Sequence, residues 1–129
     1  MPHFTILLYR VSPDWTLAVR RLFQRSNRMT VEVVELESMD DLQSRLEESS
    51  VALVVMELTD RDAQQIISSL ERVARDYPAA RTAVVGPHAA RSWEWIMREA
   101  GAVWATFSPR EIRPLSSIAL RQAAVIAKS

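Results

Sequence analysis

The stretch SVALVVMEL, residues 50–58, is the segment around which the fold is organised. Its residues are almost all apolar and do not alternate with polar ones, and one carboxylate, Glu57, stands near its end. A strand that is apolar on both faces is typical of the centre of a parallel sheet that helices cover on each side. We therefore expect Glu57 at the carboxyl end of a central strand, where open α/β sheets place their sites.

The composition limits the class of protein. A chain of 129 residues predicts one domain, residues 1–129, with one sizeable core. Acidic and basic residues balance at 16 each, which argues against charge-driven binding to nucleic acid or to a membrane surface. The lack of cysteine excludes thiol catalysis, disulfides and cysteine-ligated zinc. Gly86 and Gly101 are the only glycines, which excludes a glycine-rich phosphate loop.

The chain carries no targeting signal that we recognise. No apolar run approaches the ~20 residues that span a bilayer. The N-terminus enters a strand-like run at once and lacks the basic start and long apolar region of a signal peptide. We therefore expect a cytoplasmic protein that needs no cofactor and binds neither membrane nor nucleic acid directly.

Strands and helices alternate along the chain. The strand predictions cover residues 4–9, 30–36, 50–58, 82–85 and 103–107. The helix predictions cover roughly residues 13–26, 39–48, 62–76, 89–100 and 113–127, with a turn at 27–29. Such units imply a parallel sheet with right-handed crossovers. Because Glu32 and Glu35 mark the second strand as an edge, we predict a three-layer α/β/α fold with five parallel strands in the order 2-1-3-4-5.

Apolar residues at helical spacing are expected to face the sheet. These are Trp15, Ala18, Val19, Leu22 and Phe23 in the first helix, Met39, Leu42 and Leu46 in the second, Ile66, Ile67, Leu70, Val73 and Ala74 in the third, Trp93, Ile96, Met97 and Ala100 in the fourth, and Leu115, Ile118, Ala119 and Ile126 in the fifth. Two start signals support these boundaries, Ser12 before Pro13 and Ser38 before the second helix.

Three local cues accompany this pattern. They are residues 6–8 followed by Pro13, the run 53–58, and residues 101–103 leading to 107–109. Their order and spacing, over nearly the whole chain, resemble the receiver domain of bacterial response regulators, which has a flavodoxin-like fold. The resemblance implies the same strand order and a role in two-component signal transduction.

The resemblance also locates a phosphorylation site, and this chain departs from it. Receivers accept a phosphoryl group on an aspartate after the third strand, beside a divalent cation held with the help of two acidic residues. A hydroxyl after strand four and a lysine after strand five bind the phosphoryl oxygens, because phosphoryl transfer depends on positioning and charge neutralisation. At these positions the chain has Glu57 for the aspartate, Arg10 and Val11 for the acidic pair, Gly86 for the hydroxyl and Ser108 for the lysine.

These replacements predict a pseudo-receiver that acts through protein contacts and is not phosphorylated in the usual way. Few acidic ligands remain for Mg²⁺. The aromatic switch position of strand five falls on Ala105. One hypothesis is that Arg10 and Glu57 form an ion pair that locks the site and imitates a phosphorylated state. The other is that both are solvated and unpaired, since exposed pairs are often worth only ~0–1 kcal/mol.

The tryptophans indicate where a partner would bind. Trp15 and Trp93 fit inward helix stripes. Trp95 and Trp104 are predicted to form an exposed apolar patch on the fourth helix and fifth strand, and tryptophan is enriched in interfaces. By resemblance to receivers, that face and the last helix would carry a homodimer or a protein partner. The alternative for Trp95 is packing beneath a neighbouring helix.

A second class of function stays open. The chain is alternatively a small α/β enzyme or small-molecule-binding protein with its site near Glu57, Arg10 and His88. His3 is expected at the opposite end of the sheet from His88, so a shared metal site is not predicted. A basic stretch, Arg20, Arg21, Arg25 and Arg28, is interpreted as a solvated helix face in preference to a site for an acidic partner.

Overall fold

The computed structural model describes residues 3–24, 30–48 and 50–128. The strands are β1 (His3–Tyr9), β2 (Thr30–Leu36), β3 (Val51–Glu57), β4 (Arg81–Val85) and β5 (Ala102–Thr106). The α-helices are α1 (Pro13–Gln24), α2 (Met39–Glu48), α3 (Ala63–Asp76), α4 (Glu94–Glu99) and α5 (Pro114–Lys128). All strand pairs are parallel, in the order β2-β1-β3-β4-β5, which confirms the predicted fold. The turn predicted at 27–29 lies outside the described residues.

The central strand β3 is buried on both faces, as its sequence predicted. Leu53 and Val55 belong to the apolar cluster beneath α1 and α5. Val54 and Met56 belong to the cluster on the other side of the sheet, beneath α2, α3 and α4. All four side chains are fully buried. Burying one such side chain contributes ~1.5–3 kcal/mol. Because the side chains of β3 enter both apolar clusters, this strand packs against both helical layers.

The charged second strand lies at the edge of the sheet, as predicted. Glu35 pairs with Arg20 of α1 at 3.0 Å, and Glu32 pairs with Arg45 of α2 at 3.6 Å. Arg20, which belongs to the predicted basic stretch, therefore forms an exposed ion pair. Such a pair is worth ~0–1 kcal/mol. Arg25 and Arg28 lie outside the described residues.

Ser12, Ser38 and Gly101, the residues predicted to mark helix ends, lie at helix ends in the structure. The N–H of Asp41 donates to Ser38 Oγ at 3.1 Å, so Ser38 caps α2. The N–H of Thr16 donates to the carbonyl of Ser12 at 2.9 Å, so α1 begins directly after Ser12. Gly101 follows α4 with φ +127°, a backbone conformation that L side chains rarely adopt, and its placement confirms the predicted stop.

The helix predicted at 89–100 is wrong in its first half. Residues His88–Trp93 form a 3₁₀ helix, and the α-helical part is limited to Glu94–Glu99. The turn tightens after Pro87, where the N–H of Ala90 donates to the Pro87 carbonyl at 2.9 Å, and Ala90 is fully buried.

Two residues predicted to face the sheet are exposed instead. Ile96 is 42% exposed, because in the short α4 Met97 alone reaches full burial. Ala74 is exposed because Val73 occupies the inward position in the last turns of α3. The remaining inward predictions are buried or half-buried.

Candidate functional site

Glu57 lies at the carboxyl end of β3 and is half-buried. Its Oε1 accepts a hydrogen bond from the backbone N–H of Ser12 at 2.6 Å. Ser12 stands directly before α1, so the carboxylate lies at the positive end of that helix. A charged acceptor on a backbone N–H is among the stronger hydrogen bonds in proteins. The Glu57 carboxylate is therefore tied to the segment that joins β1 to α1.

Arg10 does not pair with Glu57, so the predicted Arg10–Glu57 lock is wrong. Its N–H donates to the Leu36 carbonyl at 2.8 Å, and its Nη1 donates to Gln65 Oε1 of α3 at 3.3 Å. Arg10 has φ 55°, a left-handed conformation uncommon for a residue other than glycine. Its side chain reaches α3, while the Ser12 N–H satisfies the carboxylate. Sequence patterns carry no signal for this backbone conformation or for Gln65 as the partner.

The alternative hypothesis, that both residues are solvated and unpaired, is confirmed in part, since neither belongs to an ion pair of the described residues and Arg10 is exposed, whereas Glu57 is half-buried. Each makes a hydrogen bond, Glu57 to a main-chain N–H and Arg10 to a side-chain amide. What holds Glu57 is the start of a helix, which does not require a second charged side chain.

Val11 follows β1 and Gly86 follows β4, and both residues pack closely against their neighbours. Val11 packs against the apolar cluster beneath α1 and α5. Gly86 is buried, and its N–H donates to the Thr106 carbonyl at 3.2 Å. A Cβ atom added at Gly86 would lie 3.0 Å from the carbonyl oxygen of Leu58. The backbone thus leaves no room at Gly86 for a serine or threonine without a shift.

Ser108 follows β5 and forms hydrogen bonds with neighbouring residues of the chain. Its Oγ accepts from the N–H of Arg110 at 3.3 Å, and this contact starts a 3₁₀ turn at Pro109–Glu111. Its own carbonyl accepts from Thr106 Oγ1 at 3.1 Å. A serine in this role supplies no positive charge to the sheet edge, in contrast to the lysine that the resemblance implies for receivers.

The donor set at this edge does not fit the divalent cation of receivers. Glu57 is the only acid among the three positions that the resemblance assigns to acceptor and cation ligands, the others being Arg10 and Val11. A nearby acid, Asp62, accepts from the Thr59 N–H at 2.8 Å and shapes the loop before α3. Within residues 3–24, 30–48 and 50–128, no three histidines or acids come together to hold a metal ion.

Ala105 lies in β5 and is buried against the cluster beneath α2, α3 and α4. Its methyl group has no ring to move between an inward and an outward position. The aromatic switch that the resemblance implies for receivers is therefore replaced by a side chain with a single arrangement.

The tryptophans divide between core and surface. Trp15 is buried and Trp93 is half-buried against the core, as predicted. Trp95 on α4 is 72% exposed, which rules out the alternative that it packs beneath a neighbouring helix. Trp104 differs from the prediction, since it is half-buried on the α1 and α5 side and its ring lies 5.4 Å from the Arg98 guanidinium.

Ile96, at 42% exposure, takes the place predicted for Trp104 beside Trp95 in the exposed apolar patch of α4. The Nε1 of Trp104 is enclosed and has no hydrogen-bond partner among the described residues. An enclosed indole N–H without a partner is uncommon, and no sequence pattern indicates it.

Glu57, Arg10 and His88, the residues named for the alternative function, do not share the groove beside α3. His88 is exposed at the start of the 3₁₀ helix after β4. A groove beside Arg10 is lined by residues of α3 and includes neither Glu57 nor His88.

No helix in the described part of the chain is both long and apolar enough to cross a bilayer.

Solved structures of receiver domains have the same fold as this chain. A receiver domain of a response regulator from Bacteroides fragilis superposes with a TM-score of 0.72 at 19% identity, covering 93% of this chain and 96% of that one. A response regulator from Thermotoga maritima gives 0.74 at 16% identity, with 93% and 97% covered. A CheY-like receiver domain protein from Methanospirillum hungatei gives 0.64 at 16% identity, with 96% of both chains covered.

No protein-family model matches the chain, and no curated protein matches its sequence. The likeness is one of structure, at identities that establish the fold alone. The chain therefore has the receiver-domain fold.

Proposed function

We propose that the chain is a pseudo-receiver that takes part in signal transduction or transcriptional regulation through protein contacts. In this proposal it is non-catalytic, cytoplasmic and not phosphorylated in the usual way. The support is the receiver-domain fold, combined with a different residue at every position that the phosphotransfer chemistry of receivers uses.

The observation that carries the proposal is the 2.6 Å hydrogen bond between Ser12 N–H and Glu57 Oε1. Phosphorylation needs a carboxylate oxygen free to attack phosphorus and cations that neutralise the phosphoryl oxygens. Here Oε1 already accepts from the N–H of Ser12 at a helix start, which leaves Oε2 as the one oxygen that could attack. Arg10 and Val11 cannot hold a cation beside it. Glu57 is therefore a poor phosphoryl acceptor.

Incubation with acetyl phosphate and Mg²⁺, followed by intact mass spectrometry, tests this proposal. We expect no covalent phosphoryl adduct, while a phosphorylatable receiver domain treated in parallel is modified. Glu57→Asp restores only the acceptor, so we expect this variant to stay unmodified as well. A phosphoryl group mapped to Glu57 in the wild-type chain would overturn the proposal. Modification of Glu57→Asp alone would show that residue 57, and not the missing cation ligands, causes the block.

The proposed contact surface is the face formed by α4, β5 and α5, acting as a homodimer or with a protein partner. Trp95 and Ile96 of α4 are exposed, and Val125 of α5 is 58% exposed. Exposed apolar side chains on neighbouring elements favour an interface, and tryptophan often contributes much of the binding energy.

Size-exclusion chromatography with light scattering tests the homodimer. We expect a dimer at high concentration for the wild-type chain and a monomer for Trp95→Glu. Leu17→Glu is the matched control, because Leu17 is also exposed, at 49%, but lies on α1. A wild-type monomer at every concentration, or equal dissociation of both variants, would contradict the homodimer.

A further inference from the structure

A groove of about 660 Å³ runs along one face of α3 and shares Arg10 with the candidate site at the end of β3. Tyr9, Arg10 and Met39 line it together with residues of α3 from Gln64 to Arg75. The volume falls in the range of about 300–1,000 Å³ that small-molecule sites occupy. Ile66 is buried and Met39 half-buried, so part of the wall is apolar.

Tyr9 lines this groove and is only 7% exposed. Its hydroxyl makes no hydrogen bond within the described part of the chain. Among the described residues, Trp104 Nε1 is the one side-chain polar atom that is both enclosed and unpaired, so the Tyr9 hydroxyl is open to solvent. It is therefore accessible to a ligand.

The groove is positive, although the chain as a whole has no net charge. Three guanidinium groups line it, those of Arg10, Arg72 and Arg75, against the carboxylate of Glu71 and, at its edge, that of Asp76, a surplus of one positive charge. Asp76, outside the lining, pairs with Arg75 at 3.0 Å. Arg72 makes no ion pair within the described residues, which leaves it and Arg10 as the cations available to a ligand.

The backbone of Arg10 has an uncommon conformation. A non-glycine residue in the left-handed region is strained and is often found at ligand sites. Arg10 has φ 55°, and its Nη1 contacts Gln65 on the groove wall. The strained residue thus contributes a cation to a cavity that Tyr9 also lines.

We infer that this groove binds a small molecule that carries a phosphate monoester. Arg10 and Arg72 hold the phosphate, because guanidinium groups bind its oxygens in pairs. The charge of a phosphate monoester at neutral pH is ≈ −1.5 to −2, which the guanidinium groups of Arg10 and Arg72 can neutralise. The Tyr9 hydroxyl donates to an acceptor on the ligand, and Met39 and Ile66 contact its apolar part. This inference shares Arg10 with the pseudo-receiver site but does not require that the chain be a pseudo-receiver.

The test is a titration of the ¹⁵N-labelled protein with AMP and with glucose 6-phosphate, each beside its unphosphorylated counterpart, adenosine or glucose. We expect at least one phosphate ester to shift the amide resonances of Arg10 and the groove face of α3, and the counterparts to have little effect. Arg72→Gln is expected to raise the dissociation constant ~10-fold. Tyr9→Phe is expected to raise it ~5-fold without changing the urea midpoint, because the Tyr9 hydroxyl has no hydrogen-bond partner among the described residues.

Two matched controls separate this site from general effects. Tyr77→Phe removes a hydroxyl outside the groove lining, which donates to Glu47 Oε1 at 2.9 Å. Arg91→Gln removes an exposed arginine elsewhere on the surface. Both should bind like the wild-type chain.

Three outcomes would overturn the inference. The first is the absence of shifts with either phosphate ester. The second is weakening by Arg91→Gln equal to that by Arg72→Gln, which would show general charge attraction only. The third is unchanged affinity of Tyr9→Phe, which would remove the hydroxyl from the site.

Discussion

Replacing Glu57 tests how firmly the start of α1 is tied to the end of β3. Glu57→Ala removes the acceptor of the Ser12 N–H, a half-buried contact at 2.6 Å. Hydrogen bonds to charged groups contribute about 1.5–3 kcal/mol, so we expect the free energy of unfolding to fall by about that amount. Glu57→Gln keeps an acceptor oxygen and loses only the charge at the helix start, for which about 0.3–1 kcal/mol is expected.

These values translate into a measurable thermal shift. An unfolding entropy of roughly 2.1 cal/mol/K per residue gives about 0.27 kcal/mol/K for 129 residues. Glu57→Ala is therefore expected to lower Tm by ~6–11 °C and Glu57→Gln by ~1–4 °C. Urea unfolding followed by circular dichroism gives the free energies, and thermal unfolding gives Tm.

The control is Glu99→Gln, which removes the charge of an exposed glutamate outside any ion pair of the described residues. We expect its stability to stay within about 0.5 kcal/mol of the wild type. The charge component should shrink in 1 M salt, where the screening length is about 3 Å. If both Glu57 variants were as stable as Glu99→Gln, the carboxylate would not hold the helix start, and the reasoning would be refuted.

Two further substitutions test the packing around the sheet. Gly86→Ser adds a Cβ atom 3.0 Å from the Leu58 carbonyl oxygen, so we expect a loss of about 1–3 kcal/mol in urea unfolding. The exposed control Ala89→Ser should be nearly neutral, and equal stability of the two variants would contradict the close approach. Gln122→Ala leaves a backbone carbonyl before β4 without its side-chain donor, and we expect a loss of about 1–3 kcal/mol. An effect no larger than that of the exposed Gln64→Ala would contradict this role.

The sequence was sufficient for the fold because its signals were local and redundant. The apolar run of β3 required cover on both faces, and the charges of β2 required an edge. Ser38 marked a helix start and Gly101 a helix stop, and both are where the chain predicted them. The predicted start of the fourth helix was wrong, because the chain forms a 3₁₀ helix after Pro87 before α4 begins.

The site was less predictable, because it depends on backbone conformation and on which donor is nearest. Opposite charges at Arg10 and Glu57 suggested an ion pair. The left-handed backbone of Arg10 and the nearby N–H of Ser12 produced two separate contacts instead. Gln122 was missed for the same reason, since its burial and its bond to Ala79 depend on the packing of α5.

Trp104 shows the limit of reading exposure from strand position. Its place on an edge strand suggested an open ring, but the long side chain of Arg98 covers the ring from α4. Long cationic side chains often cover apolar surface in this way, and the sequence does not reveal which ring they will cover.

The single arrangement of Ala105 bears on how a cell would use such a module. A methyl group has no rotamer to change, so this position cannot alternate between two side-chain arrangements. If the chain has the function proposed above, its influence would then follow the number of copies present, at the pace of protein turnover.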